Sequence, residues 1–186
     1  MASDTRERLV RATSRLLRTQ GYAATGLNQV MAEADAPKGS MYFHFPGGKE
    51  ELGAAAVDLF ASRATARMRR HLEENDSVRD AVVAIFDAYV EHLDRTDYSE
   101  GCAVASVALD AAGAHELLAD ATGRALQEWT AVLTEALEEE GRSAEEAHGL
   151  ATLVLACIEG TVVMAKGERS TEPIAATRDV LRTILA

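Results

Sequence analysis

The chain has 186 residues, 47% of them hydrophobic and 26% charged, with a formal charge of −11; such a chain buries a core as one domain or two small ones and is no disordered tract. Three prolines, thirteen glycines and the lack of any Gly/Ser-rich or repeated stretch exclude collagen-like, low-complexity and solenoid architectures, and 5% aromatics argue against a β-sandwich. No run reaches the ~20 apolar residues of a bilayer span, and Met1-Ala2-Ser3-Asp4 starts no apolar leader. The two cysteines, Cys102 and Cys157, lie outside any CxxC or Cys/His cluster. The expectation is therefore a cytoplasmic protein with no membrane partner, disulfide framework, metal or cofactor.

Taken in chain order, nearly every segment longer than ten residues repeats its apolar positions at the helical period, so the chain is expected to be all-α, with about nine helices. The first runs from about Asp4 to Gln20, with Leu9, Ala12, Leu16 and Leu17 on one face, and Gly21 can close it at positive φ. Thr25 offers an oxygen to cap a two-turn second helix, about Leu27 to Ala34, which Asp35-Ala36-Pro37 breaks. A third helix follows, about Pro37 to Phe43, then Phe45-Pro46-Gly47-Gly48 and a long fourth helix from Lys49 to about His71. Asn75-Asp76-Ser77 caps a fifth, Val78 to Asp94, and Cys102 to Ala112 is a small, apolar sixth. The seventh spans Ala114 to Glu140 and closes at Gly141. Ser143 and Glu146 form a capping box for the eighth, which ends near Gly167, and Thr171-Glu172-Pro173 opens the ninth.

Two short helices joined by Ala34-Asp35-Ala36-Pro37 and propped on a longer one describe a helix-turn-helix in a three-helix head. On its second helix Lys38, Ser40, Tyr42 and His44 supply hydrogen-bonding groups beside Gly39, which permits close approach of the backbone to DNA. Charge fits this reading. Residues 1–50 hold seven Lys/Arg against five Asp/Glu, a net of +2, which leaves −13 on the rest. The alternative is a helical hairpin with Met41, Phe43 and Phe45 all in the core.

The stretches Gly21-Tyr22-Ala23-Ala24-Thr25, Val30-Met31-Ala32-Glu33-Ala34, Lys38-Gly39-Ser40-Met41-Tyr42-Phe43-His44-Phe45 and Lys49-Glu50-Glu51-Leu52 resemble the TetR family of transcriptional regulators over about residues 5–60. Phe45-Pro46-Gly47-Gly48-Lys49 and Gly101-Cys102-Ala103-Val104-Ala105 resemble its LmrA/QacR-type branch. The resemblance implies a DNA-binding domain over residues 1–48 and a helical ligand-binding and dimerisation domain over 49–186. It places Lys38, Gly39 and Ser40 at base edges, with Asn28 or Gln29 as further base readers. It gives phosphates to Thr25, Tyr42, His44, Lys49 and the start of the fourth helix. Met41 then faces the core and Phe43 the sugar or phosphate. The sequence departs from the family pattern at Gly26, where Ser or Thr commonly caps the second helix, and at Pro37, where Ser commonly starts the third.

One head of about fifty residues reads few base pairs, so a two-fold dimer on a palindrome is expected. Leu150, Leu153, Val154, Cys157, Ile158, Val162 and Met164 give the eighth helix more apolar surface than one face can bury, and Ile174, Val180, Leu181, Ile184 and Leu185 stripe the ninth. These are the expected dimer seam, as in the family. A small-molecule effector pocket lined by the fourth to eighth helices is expected from Phe60, Phe86, Tyr89, Val90, Leu93, Val104, Val107, Trp129, Leu133 and Met164, with Glu159 and His92 as its polar groups. No catalytic motif supports an enzymatic reading, and the expectation is that the protein is not an enzyme. His115-Glu116-Leu117-Leu118-Ala119 lacks the second histidine of a zinc helix, and neither a phosphate-cradling Gly loop nor a nucleophile elbow occurs. The expected function is a ligand-released repressor of promoter DNA. The rivals are a redox-responsive regulator using Cys102 and Cys157, and a helical binding protein or enzyme without DNA function.

Overall fold

The computed structural model describes residues 2–37, 39–111 and 113–186, the side chains of residues 2 and 3 excepted. Those residues form nine α-helices and no strand: α1 (Ala2–Ala24), α2 (Leu27–Glu33), α3 (Ser40–His44), α4 (Gly48–Glu74), α5 (Val78–Arg95), α6 (Ala103–Asp110), α7 (Glu116–Glu139), α8 (Ala144–Glu168) and α9 (Glu172–Ile184). The all-α expectation holds. Ala112, the expected end of the sixth helix, lies outside the described residues.

The chain divides into two compact units, residues 1–63 with 102–126, and residues 64–101 with 127–186. This division follows packing, whereas the boundary expected at residue 48 follows role. In the first unit α1 packs against α2, α3 and α6. The α1 face expected from periodicity, Leu9, Ala12, Leu16 and Leu17, is buried, and Val30, Met41, Phe45 and Leu52 join that core. In the second unit α9 packs on α5 and α8, around Val82, Ile85, Phe86, Leu93, Val154, Ile158, Ile174 and Leu181.

Local chemistry sets most helix ends. Ser77 caps α5, its hydroxyl oxygen accepting from Asp80 N–H. Ser143 caps α8 from Glu146 N–H, but the Glu146 carboxylate accepts from Arg142 at 2.7 Å. That ion pair draws the carboxylate away from the returning bond expected of a capping box. Pro173 sits in the first turn of α9, as expected.

The turn between α2 and α3 differs from expectation in cause and extent. α2 stops at Glu33 because Asp35 takes a left-handed φ of 47°. Asp35 N–H then donates to Ala32 O and Ala36 N–H to Met31 O, which closes the helix before the proline is reached. Pro37 consequently lies outside α3, and its carbonyl accepts from both the amide and the hydroxyl of Ser40.

Candidate nucleic-acid interface

The candidate interface grows from the way α3 is seated. Its five residues, Ser40–His44, bury Met41, and the next residue, Phe45, is fully buried; Tyr42 and Phe43 are left 63% and 76% exposed. A buried Phe side chain is worth about 1.5–3 kcal/mol relative to an exposed one. Two adjacent aromatics thus stand in solvent on one short helix and are not packing residues of the head. The His44 ring stands edge-on to Phe43 with centroids 5.0 Å apart, and Gly39 is exposed. The hairpin alternative with Phe43 in the core is thereby set aside. Lys38 lies outside the described residues.

α2 and the α3 turn are held to α1 by charge. Arg8 donates to Asp35 O at 3.0 Å and pairs with Asp4, and Arg15 pairs with Glu33 at 3.1 Å. Arg11 pairs with Glu7. Three of the α1 arginines are thus engaged within the head, so its net positive charge is not simply displayed outward. Asn28 and Gln29 are exposed on α2, and Gln29 is already paired with Gln20 at 2.9 Å.

Two expected phosphate ligands are committed to the fold. Thr25 is 2% exposed, and its hydroxyl donates to Gly21 O at 2.6 Å. It caps nothing: Gly26 is the N-cap of α2 and offers no side-chain bond. Lys49 lies with Nζ 4.2 Å from the Tyr22 ring centroid and 3.4 Å from Ala23 O. Burial holds the Lys49 ammonium below the usual lysine range, and the charge of Asp110 opposes that shift. Burial likewise raises Tyr22, with Glu50 and Asp110 pushing the same way. At the start of α4 the amide of Gly47 donates to Glu51 at 2.8 Å and that of Gly48 to Phe45 O at 2.9 Å. These two N–H groups of the expected phosphate cradle already have acceptors.

The expected dimer residues separate into two sets. Val154, Ile158, Val162, Ile174 and Leu181 are buried within the subunit, because α8 and α9 turn these positions toward each other and α5. Leu150 and Cys157 are half-buried, whereas Leu153 and Ile184 are exposed. The outer face of α8 carries Leu153, Ala156, Gly160, Val163 at 59% and Met164 at 51% exposure, and α9 adds exposed Val180. Ala156, Gly160 and Val163 had not been singled out from the sequence, although their spacing continues from Leu153 at helical intervals. α8 is also long and apolar enough, by length and composition, to cross a membrane. Its two apolar faces, one buried and one exposed, account for that composition.

The expected pocket residues fall in both units. Phe60, Val104 and Val107 belong to the first and are buried; Phe86, Leu93, Trp129 and Leu133 belong to the second and are buried. The Trp129 indole donates to Thr65 at 3.1 Å. Tyr89, Val90, His92 and Glu159 are half-buried, and His92 Nε2 lies 3.3 Å from Glu100. Met164 faces outward on α8 and does not line an interior. Cys102 is buried as the N-cap of α6, its Sγ accepting from Ala105 N–H. Cys157 is half-buried, and burial pushes its thiol up, toward the less reactive protonated form.

Residues 9–56 match the family model described as bacterial regulatory proteins, tetR family. Residues 78–180 match the model of the transcriptional regulator LmrA/YxaF-like C-terminal domain. Among curated proteins the chain is 33% identical to the HTH-type transcriptional regulator LmrA of Bacillus subtilis, over 92% of this chain and 91% of that one. It is 25% identical to the HTH-type transcriptional repressor NemR of Escherichia coli, over 98% and 94%. Among solved structures, a regulatory protein TetR from Rhodobacter sphaeroides superposes with a TM-score of 0.86 at 20% identity, covering 97% of this chain and 98% of that one, which is a likeness of fold.

Proposed function

The chain belongs to the TetR family of transcriptional regulators, and from that membership we propose that it is a cytoplasmic, homodimeric repressor released from a palindromic operator by a small molecule. Residues 1–48 form the DNA-reading domain and residues 49–186 the ligand-binding and dimerisation domain. The observation that carries this reading is the outward pair Tyr42 and Phe43 on α3, held there because Met41 and Phe45 anchor the other side of the same short segment. Lys38, Gly39 and Ser40 approach base edges with Asn28 or Gln29, while Tyr42, Phe43, His44 and Lys49 meet sugar and phosphate.

Lys49 reaches phosphate by giving up its place on the Tyr22 ring, an exchange helped by the burial that already disfavours its charge there. Thr25 contributes from beneath the surface, by shaping the corner before α2. Dimerisation uses the outer α8 face around Leu153, Gly160 and Val163 with Val180 and Ile184 of α9. An effector is taken among Phe86, Tyr89, His92, Trp129, Leu133 and Glu159, and it shifts the DNA equilibrium by its unequal affinity for the two arrangements of the dimer.

The test is a fluorescence-anisotropy titration of the whole protein against duplex DNA from upstream of its own gene and against a scrambled duplex, at several salt concentrations. The expected outcome is preferential binding of the upstream duplex, with log affinity falling linearly as log salt rises. Equal binding to both duplexes, or none at low salt, overturns the reading.

A further inference from the structure

The corner between α1 and α2 is held by hydrogen bonds from several directions. Gly21 breaks α1 at φ 77° and ψ 178°. Gly21 O accepts from the Thr25 hydroxyl, Tyr22 O from Thr25 N–H at 3.1 Å, and Ala24 O from the Gln20 side chain at 2.9 Å. The amides of Tyr22 and Ala23 instead donate to one oxygen of Asp110, at 2.9 and 3.1 Å, from 88 and 87 residues away along the chain. A Cβ added at Gly21 would come within 2.7 Å of that same oxygen, so the carboxylate is seated where only glycine leaves it room.

Asp110 is the last residue of α6, a place where the negative end of the helix dipole disfavours a carboxylate. Two backbone N–H donors offset that cost, and both bonds are charge-assisted and directional. The apolar contacts of α6 in this unit, through Ala103, Val104 and Val107, impose no comparable direction. The chain just beyond Asp110 is tied back in the opposite sense, with Glu50 of α4 accepting from Leu117 N–H at 2.9 Å and lying 3.3 Å from His115 Nδ1. The His115 ring in turn meets Tyr22 edge-on, with centroids 5.2 Å apart.

We propose that Asp110 is a positioning residue for DNA recognition: its carboxylate, gripping the Tyr22 and Ala23 amides, makes the direction of α2 and α3 depend on the end of α6. The inference rests on the DNA-binding reading and names the residue through which the head is aimed. Only Ala24, Thr25 and Gly26 separate the second gripped amide from the start of α2 at Leu27, so a small rotation at Ala23 moves every base-facing side chain that follows. Base readout depends on such orientation more than backbone contact does.

The experiment uses the full chain. A duplex is selected from a random-sequence pool by the unaltered protein, and affinities for it and for an unselected duplex are measured for the unaltered protein, Asp110→Ala, Asp110→Asn and Asp58→Ala. Asp58 pairs with exposed Arg124 in the same unit, so its variant removes an equal charge without touching the corner. Loss of two charge-assisted bonds at a partly exposed site predicts about a three- to tenfold weaker hold on the selected duplex for Asp110→Ala. Asp110→Asn, which keeps an acceptor, falls between, while Asp58→Ala and all affinities for the unselected duplex stay within about twofold. Amide exchange at Tyr22 and Ala23 accelerates in Asp110→Ala. If that variant does not fold, Asp110→Asn carries the comparison. Selected-duplex affinity unchanged in the Asp110 variants, or an equal loss on both duplexes, overturns the proposal and leaves the DNA-binding reading standing. Failure of the unaltered protein to enrich any duplex overturns both.

Discussion

Tyr42 and Phe43 carry little of the fold's stability, since both rings stand in solvent. Replacing either with Ala is expected to change unfolding free energy by no more than about 0.5 kcal/mol, while weakening duplex binding, most clearly for Tyr42, with the salt slope unchanged because neither ring carries a charge. Thr25→Val should do the reverse at the same interface. It deletes a buried hydroxyl bond to Gly21 O and is expected to cost about 1 kcal/mol of stability by chemical denaturation, with DNA affinity falling only as the corner loosens. The sequence distinguished Met41 from Phe43, because residues two apart on a helix point about 200° apart and the core can take only one. It misplaced the oxygen of Thr25, because a Thr two residues before a helix can turn its hydroxyl forward as a cap or back to the preceding carbonyl. The left-handed Gly21 decides for the second. Asp110 was invisible for another reason: its partners are backbone amides, which leave no trace in residue type.

At the scale of elements, α8 has two apolar faces with different work. Ile158 is buried inside the subunit, so Ile158→Ala should open a cavity costing about 2–4 kcal/mol and leave the sedimentation behaviour of the folded fraction unchanged. Val163 is exposed on the opposite side. Val163→Glu should leave subunit folding intact by circular dichroism and convert the dimer to monomer by sedimentation velocity, because a two-fold seam would bring two carboxylates together in an apolar setting. Monomer at the start, or dimer after the change, contradicts the seam. The 3.6 period located the stripes of α8 but not which stripe faces inward. Val154, Ile158 and Val162 were therefore grouped with Leu153, and only the packing of α5 and α9 against the helix separates them. The ends of α5 and α9 were legible because Ser77 and Pro173 act on their own local backbone. The end of α2 was legible to within a residue but its cause was not: Asp35, at left-handed φ, closes the helix before Pro37 is reached.

For the whole molecule, a net charge of −11 opposes binding to a polyanion, and the account requires the contact to be confined to one end of the chain. The arginine pairs of α1 with Asp4, Glu7, Asp35 and Glu33 make that end less bare than its net charge suggests. Shape, outward aromatics and doubling by symmetry must then supply what charge does not. The fold class and the helix-turn-helix were legible because helical period and motif order are local properties. The partition into two packing units was not, because α6 and the first part of α7 join the N-terminal unit across the intervening residues 64–101. The most direct measurement is hydroxyl-radical footprinting of the selected duplex, with the number of bound chains taken from the mass of the complex. The account predicts an even number of chains and two protected patches related by a dyad, their centres about one helical turn apart or a multiple of it, both lost in Tyr42→Ala. One chain per duplex on a single patch, or uniform protection that survives the Tyr42 change, contradicts it.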